Sequence, residues 1–316
     1  MSNSSDQRSK EKFNGFQICN ISDSDKDQYT DLLYAYKVFA SLCVFLTITA
    51  TLGNSLILIA LHKDTALHLP SKILLRSLAI TDLCVGVIGQ PLTVIVSFSV
   101  LSKSWNICRV TVMLTNVFNA IFSGVSLVTS SAISVDRLLA LLLRLRYRQI
   151  VTVGRFRVTV VLFWLLSTSL ISSLHFTSMI LYYIIGVVWM VLPLLVSTYS
   201  YTRIFLTIRR QQMQLQDSHG FQTGSSELNM ARYKKTIYSA LWVQLTLLTC
   251  YLPFAVVLVL TTVHGSSFFL SLAQGWTLTL VYLNSSLNPV LYCWKIKEVR
   301  QAAKETVRQF CDCFST

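Results

Sequence analysis

Apolar runs of membrane-crossing length recur along this chain, near residues 36–62, 70–99, 108–141, 156–175, 178–207, 236–263 and 268–293. Hydrocarbon offers backbone N–H and C=O groups no partner, so a run of about 20 apolar residues must close its hydrogen bonds internally, as a helix. The sequence therefore predicts an all-α integral membrane protein, a seven-transmembrane helix bundle. Its composition, 53% hydrophobic and 13% charged, lies far from a soluble domain, where about a quarter of residues are charged. The break between the fourth and fifth runs rests on His175-Phe176-Thr177-Ser178 alone. Without it, six spans would leave both termini on one side.

Charge sets the orientation. Basic residues gather between spans one and two (Lys63, Lys72, Arg76), between three and four (Arg137, Arg144, Arg146, Arg148, Arg155, Arg157), between five and six, where the polar stretch 211–230 reads as a loop, and after span seven. The alternate loops hold only Lys103 and Arg109. The positive-inside rule then puts the amino terminus outside and the carboxyl terminus in the cytoplasm. The net charge of +13 belongs to the cytoplasmic face, against anionic lipid and acidic partners, and no nucleic-acid partner is needed to explain it. Four segments follow: an extracellular tail at 1–35, the bundle at 36–293, an amphipathic cytoplasmic helix at 294–308 and a tail at 309–316. The first 35 residues lack the apolar core of a cleavable leader, so span one is expected to act as the insertion signal. Asn3 and Asn20 open glycosylation sequons on the outer side.

Cys43, Cys84, Cys250 and Cys293 lie within spans and read as small packing residues. Cys311 and Cys313 follow the basic amphipathic stretch, where palmitoylation and inert cytosolic thiols are the two readings. Only Cys19 and Cys108 remain outside, where disulfides persist. A Cys19–Cys108 bridge, tying the tail to the top of span three, is open on that side.

Polar residues inside the spans carry the functional reading. Asp82 is the only acid buried in mid-span, and a charge at membrane depth costs several kcal/mol unless paired or hydrated. Span seven ends Asn284-Ser285-Ser286-Leu287-Asn288-Pro289-Val290-Leu291-Tyr292, and Pro289 predicts a bend there. Span one carries Gly53-Asn54 and span three ends Ser134-Val135-Asp136-Arg137-Leu138. Trp164 marks span four, Pro193 and Tyr201 span five, and Cys250-Tyr251-Leu252-Pro253 span six. In that order and at those depths, the set resembles the rhodopsin-like (class A) G-protein-coupled receptors over residues 36–308. Tyr251 departs from the family's toggle Trp, Arg144 from its Pro, and Leu127 and Leu247 from the Ile and Phe that couple to Pro193. No cysteine lies between Trp164 and Pro193, so the family's usual outer bridge cannot form. The short second outer loop looks closest to the melanocortin, cannabinoid and adenosine branch.

The resemblance implies a receptor at the plasma membrane that passes extracellular binding to heterotrimeric G proteins, with arrestin and receptor kinases as further partners. It assigns the activation switch to Asp136, Arg137, Tyr201, Pro253, Asn288, Pro289 and Tyr292, with Asp136 holding Arg137 at rest. It places Asn54, Ser126, Asn284, Ser285 and Asn288 around Asp82 as an allosteric Na⁺ site; a protonated Asp82 in a structural network is the alternative. The acid with which span six locks Arg137 in many members is absent, Tyr233-Lys234-Lys235 standing there, so basal activity is expected. The ligand wall is read as Thr93, Asn119, Ser123, Trp189, Tyr251, Phe254, Leu258, Leu278 and Tyr282. Asn119 stands where aminergic receptors carry an Asp, and span seven has no Lys for retinal. A neutral small molecule, or a peptide on the outer face, is expected. No nucleophile–base pair, HExxH or phosphate loop marks an enzyme, and no inverted repeat marks a transporter. A decoy or scaffold that has lost signalling is the main alternative, against which the intact Asp136, Arg137, Tyr201 and Tyr292 stand.

Overall fold

The computed structural model describes residues 19, 26–63, 69–143, 146–177, 179–218, 223–265, 267–295 and 297–314. They form α1 (Lys26–Lys63), α2 (Leu69–Cys84), a π turn (Val85–Gly89), α3 (Gln90–Leu101), α4 (Trp105–Leu143), the single turn α5 (Tyr147–Ile150), α6 (Val153–Thr177), α7 (Met179–Ser218), α8 (Thr223–His264), α9 (Phe268–Lys295) and α10 (Lys297–Phe314). Span two is α2, the π turn and α3; α1, α4, α6, α7, α8 and α9 are the other spans in order. Six of the seven are long and apolar enough to cross a membrane by composition. The seventh, α9, is diluted by Gln274, Asn284, Ser285, Ser286 and Asn288, residues that serve the interior.

Burial separates two surfaces. Span four turns Val158, Val161, Leu162, Leu165 and Leu166 outward, as a helix bathed in hydrocarbon does. Span three is buried at intervals from Cys108 to Leu138 and packs on spans two, four and five. It is the central pillar on which both cavities described below are built.

Several boundaries differ from the sequence reading. The helix of span one begins at Lys26, ahead of the apolar run from Leu33, because nothing in Asp27 to Ala35 breaks a helix. The stretch 211–230, read as a loop, is largely helix: α7 runs to Ser218 and α8 starts at Thr223, since Gln211 to Gln216 and Glu227 to Arg232 are good helix formers. The amphipathic helix spans Lys297–Phe314 rather than 294–308. It seats Val299, Ala303 and Thr306, one helical face, against the inner end of span one. Spans four and five are separated by position 178 alone.

Glycines set two close approaches. A Cβ on Gly53 would lie 2.9 Å from Pro289 Cγ, so span seven passes span one at its own proline. In span two, Pro91 has no N–H to give, and the helix widens just before it: the Gln90 N–H reaches back to Val85 O. Gly89, at the end of that turn, leaves the room that the Asn119 side chain occupies.

Candidate functional site

The half of the bundle at the amino-terminal end of span one, the outer half in the orientation expected from charge, encloses a cavity of about 170 Å³. Tyr36 and Gln274 stand toward its outer end, and Ser123, Gly124, Trp189 and Tyr251 lie deeper. At one wall Tyr282 is fully buried, and its hydroxyl meets Thr93 Oγ1 at 2.6 Å. Asn119 Nδ2 donates to the same hydroxyl at 2.7 Å. This network occupies the amide nitrogen of Asn119 and leaves Oδ1 without a partner among the described residues. Deeper in, a Cβ on Gly124 would fall 2.7 Å from Trp189 Nε1, so only glycine lets the indole lie against span three. Above the cavity Cys19 and Cys108 are disulfide-bonded, Cα–Cα 5.9 Å. They pack with Tyr36, Val96 and Val112, three residues that also line it.

Below this cavity lies Asp82, with no exposed surface. Ser126 and Ser285 each donate to its Oδ1 at 2.9 Å, and Asn288 Nδ2 donates to Oδ2 at 2.7 Å. Three donors on one carboxylate are the compensation a buried charge requires. Asn54 Nδ2 donates to the carbonyls of Ala50 and Ser285. The amide oxygens of Asn54 and Asn284 are buried and without a partner among the described residues.

A second, smaller cavity opens at the inner half between Leu75, Ile133, Arg137, Tyr201, Val243, Asn288 and Tyr292. Asp136 turns away from it. It accepts from Ser71 Oγ at 2.9 Å and from the Tyr147 hydroxyl at 2.5 Å, and among the described residues no ion pair joins it to Arg137. Burial, followed by the carboxylate beside it, pushes the Tyr147 phenol up to about 12, so it remains a donor at any physiological pH.

A model of the seven-transmembrane receptor (rhodopsin family) matches residues 53–180 and 171–292. The chain belongs to this family. It is 27% identical over 297 residues to an adenosine receptor A3 of Canis lupus familiaris, covering 86% of this chain and 91% of that receptor. A histamine H2 receptor of Cavia porcellus is 26% identical over 290 residues, covering 84% and 79%. An adenosine receptor A3 of Ovis aries is 27% identical over 284 residues. The protein is therefore a multi-pass plasma-membrane receptor and not an enzyme, and adenosine and histamine receptors are both among its relatives.

The receptor brings together most residues singled out from sequence. Thr93, Asn119, Ser123, Trp189, Tyr251, Phe254, Leu258 and Leu278 line the outer cavity. Tyr282 does not: it stands behind Thr93 and Asn119 and fixes them. Ser126, Ser285 and Asn288 bond Asp82 directly, whereas Asn54 and Asn284 make no hydrogen bond to it, because Asn54 is committed to the span seven backbone. The expected Asp136–Arg137 hold is replaced by Tyr147 and Ser71, whose neutral hydroxyls reach a carboxylate that is only 1% exposed. Pro193, Pro253 and Pro289 lie inside their helices. Cys43, Cys84, Cys250 and Cys293 are free. Asn3, Asn20 and the side chains of Tyr233, Lys234, Lys235, Cys311 and Cys313 lie outside the described residues. Sequence reading missed Ser71 and Tyr147. A tyrosine eleven residues beyond Asp136 in a basic loop was the available sign.

Proposed function

We propose that this receptor stands with its amino terminus outside and its carboxyl terminus in the cytoplasm, binds a neutral small molecule in the outer cavity, and couples to a heterotrimeric G protein at the inner one. The charge map supports the orientation. The observation that carries the ligand class is the cavity's polar inventory. Thr115 Oγ1, Asn119 Oδ1, Ser123 Oγ and Trp189 Nε1 are buried without partners among the described residues, and no described charged side chain lines the cavity. A charged ligand would lose its water and gain no counter-charge. A neutral molecule carrying both an N–H or O–H donor and an acceptor matches an indole N–H and an amide oxygen at once. The volume suits a small molecule rather than a peptide. Adenosine and histamine receptors are both relatives, and Asn119 in place of a carboxylate favours the uncharged class.

At the inner cavity Arg137, free of Asp136 and flanked by Tyr201 and Tyr292, is the group offered to the Gα subunit, with arrestin and receptor kinases meeting the same face. Around Asp82 stand one carboxylate, two hydroxyl oxygens and the unpartnered amide oxygens of Asn54 and Asn284, a set that fits a hydrated Na⁺. Asp82, Ser126 and Ser285 would hold it, with the amide oxygens of Asn54 and Asn284 nearby, and the cation would supply positive charge that keeps Asp82 ionised. The test is ligand-free cAMP and Ca²⁺ signalling in cells expressing the receptor or Arg137→Ala at equal surface density. The expected result is a basal signal that the variant loses. A signal of equal size in both refutes coupling through Arg137.

A further inference from the structure

Between two apolar clusters of the inner half runs a polar layer that joins spans three, five and six. Above it Leu127, Leu194 and Leu247 pack together; below it Leu138, Tyr201 and Ile204 pack with Val243. Ser134 and Ser197 have no exposed surface and Gln244 is 8% exposed. Ser134 Oγ lies 3.1 Å from Ser197 Oγ. Ser197 Oγ donates to Gln244 Oε1 at 2.8 Å. Gln244 Nε2 donates to Thr198 Oγ1 at 2.7 Å, and Thr198 Oγ1 donates to Leu194 O at 2.7 Å.

Counting hydrogens fixes the direction between spans five and six. The one hydrogen of Ser197 goes to Gln244, and that of Ser134 is shared between Ser197 Oγ and its own helix at Ser130 O, each at 3.1 Å. The hydrogen of Thr198 goes to its own helix, so Thr198 can only accept from the amide. Donation runs from Ser197 of span five to Gln244 of span six and back to Thr198 of span five, and Ser134 of span three stands against Ser197. The two amide bonds of Gln244 both cross between spans five and six.

We infer that Gln244 is the positioning residue that holds span six in its resting place against spans three and five. This rests on the proposed coupling at the inner cavity: Val243 and Leu247 of span six line it, so a partner seated there displaces the inner half of that span. Gln244 lies below Pro253 by about 13 Å at 1.5 Å per residue, so a bend of about 15° at the proline carries it roughly 3.5 Å, beyond hydrogen-bond reach of Ser197 and Thr198. Both amide bonds break together in that movement. The Gln244 pair therefore supplies a restraint at a span whose lock position holds Tyr233-Lys234-Lys235 and no acid.

The experiment compares the full-length receptor with Gln244→Leu, Ser197→Ala and the double variant. Nitroxides are attached through noncanonical residues at Leu142 and Trp242, both outward-facing, leaving native cysteines untouched. Expected is a longer Leu142–Trp242 population in each variant, with the open-to-closed ratio rising on the order of tenfold, the double variant exceeding neither single one because all three break one chain. Basal signalling rises in parallel. An unchanged distance distribution overturns the inference, whatever happens to thermal stability or signal. A longer distance with flat signalling upholds the positioning role and counts against the coupling reading instead. Should Gln244→Leu fail to fold, Ser197→Ala carries the same test alone.

Discussion

Replacing Asp82 by Asn removes a charge while keeping the side chain's shape. The amide oxygen can take the place of Oδ1 and retain both hydroxyl donors, Ser126 and Ser285. The amide nitrogen then faces Asn288 Nδ2, now 2.7 Å from a carboxylate oxygen, unless the Asn288 amide turns over. Three bonds to a charged acceptor, worth about 1.5–3 kcal/mol each, become neutral ones worth about 0.5–1.5, a loss of roughly 3–5 kcal/mol. Against that, burying an isolated carboxylate at mid-membrane costs about 2.5–3.5 kcal/mol, which the variant avoids. The two nearly cancel, so stability in sodium-free buffer changes little. The difference lies in the response to the cation. If Na⁺ binds at Asp82, ten times its Kd stabilises the wild-type receptor by about 1.4 kcal/mol, a rise in melting temperature of about 2–4 °C. The assay is thermal unfolding of purified receptor in NaCl against choline chloride at equal ionic strength. Wild type should shift and Asp82→Asn should not. Equal shifts in both, or none in wild type, would refute the cation site and leave Asp82 as a structural acceptor.

Cys19 and Cys108 close a loop with a sequence separation of 89, which in the chain-entropy picture stabilises by about 4–5 kcal/mol. Cys19→Ser, Cys108→Ser and the double variant should lose the same amount of thermal stability. Additive losses would show that the thiols act separately. Gly53→Ala places a methyl 2.9 Å from Pro289 Cγ in a packed interior, costing about 1–3 kcal/mol by overpacking. A variant melting within a degree of wild type would show that spans one and seven are not in that close contact.

Hydrophobic run lengths determined the seven-helix architecture, because hydrocarbon leaves the backbone no alternative to helix. Asp82 was legible for the same reason: a lone acid at membrane depth demands partners wherever the chain places them. The ends of helices were not legible. The reading of 211–230 as a loop followed polarity, but polar helix formers beyond the membrane continue a helix as readily as they end one. Partner choice was decided only by the tertiary structure. Asp136 and Arg137 are neighbours in sequence, yet side chains one residue apart on a helix point in different directions. Tyr147 and Ser71, from elsewhere in the chain, reach the carboxylate first. Likewise Tyr282 read as cavity wall, but packing set it behind Thr93 and Asn119. Gln244 carried no sign in the sequence. It is one amide in an apolar helix, and its role exists only because Ser134 and Ser197 arrive beside it from two other spans. Periodicity and composition are properties of one chain segment, whereas a hydrogen bond between spans depends on the rotation and depth of two helices, which packing alone fixes.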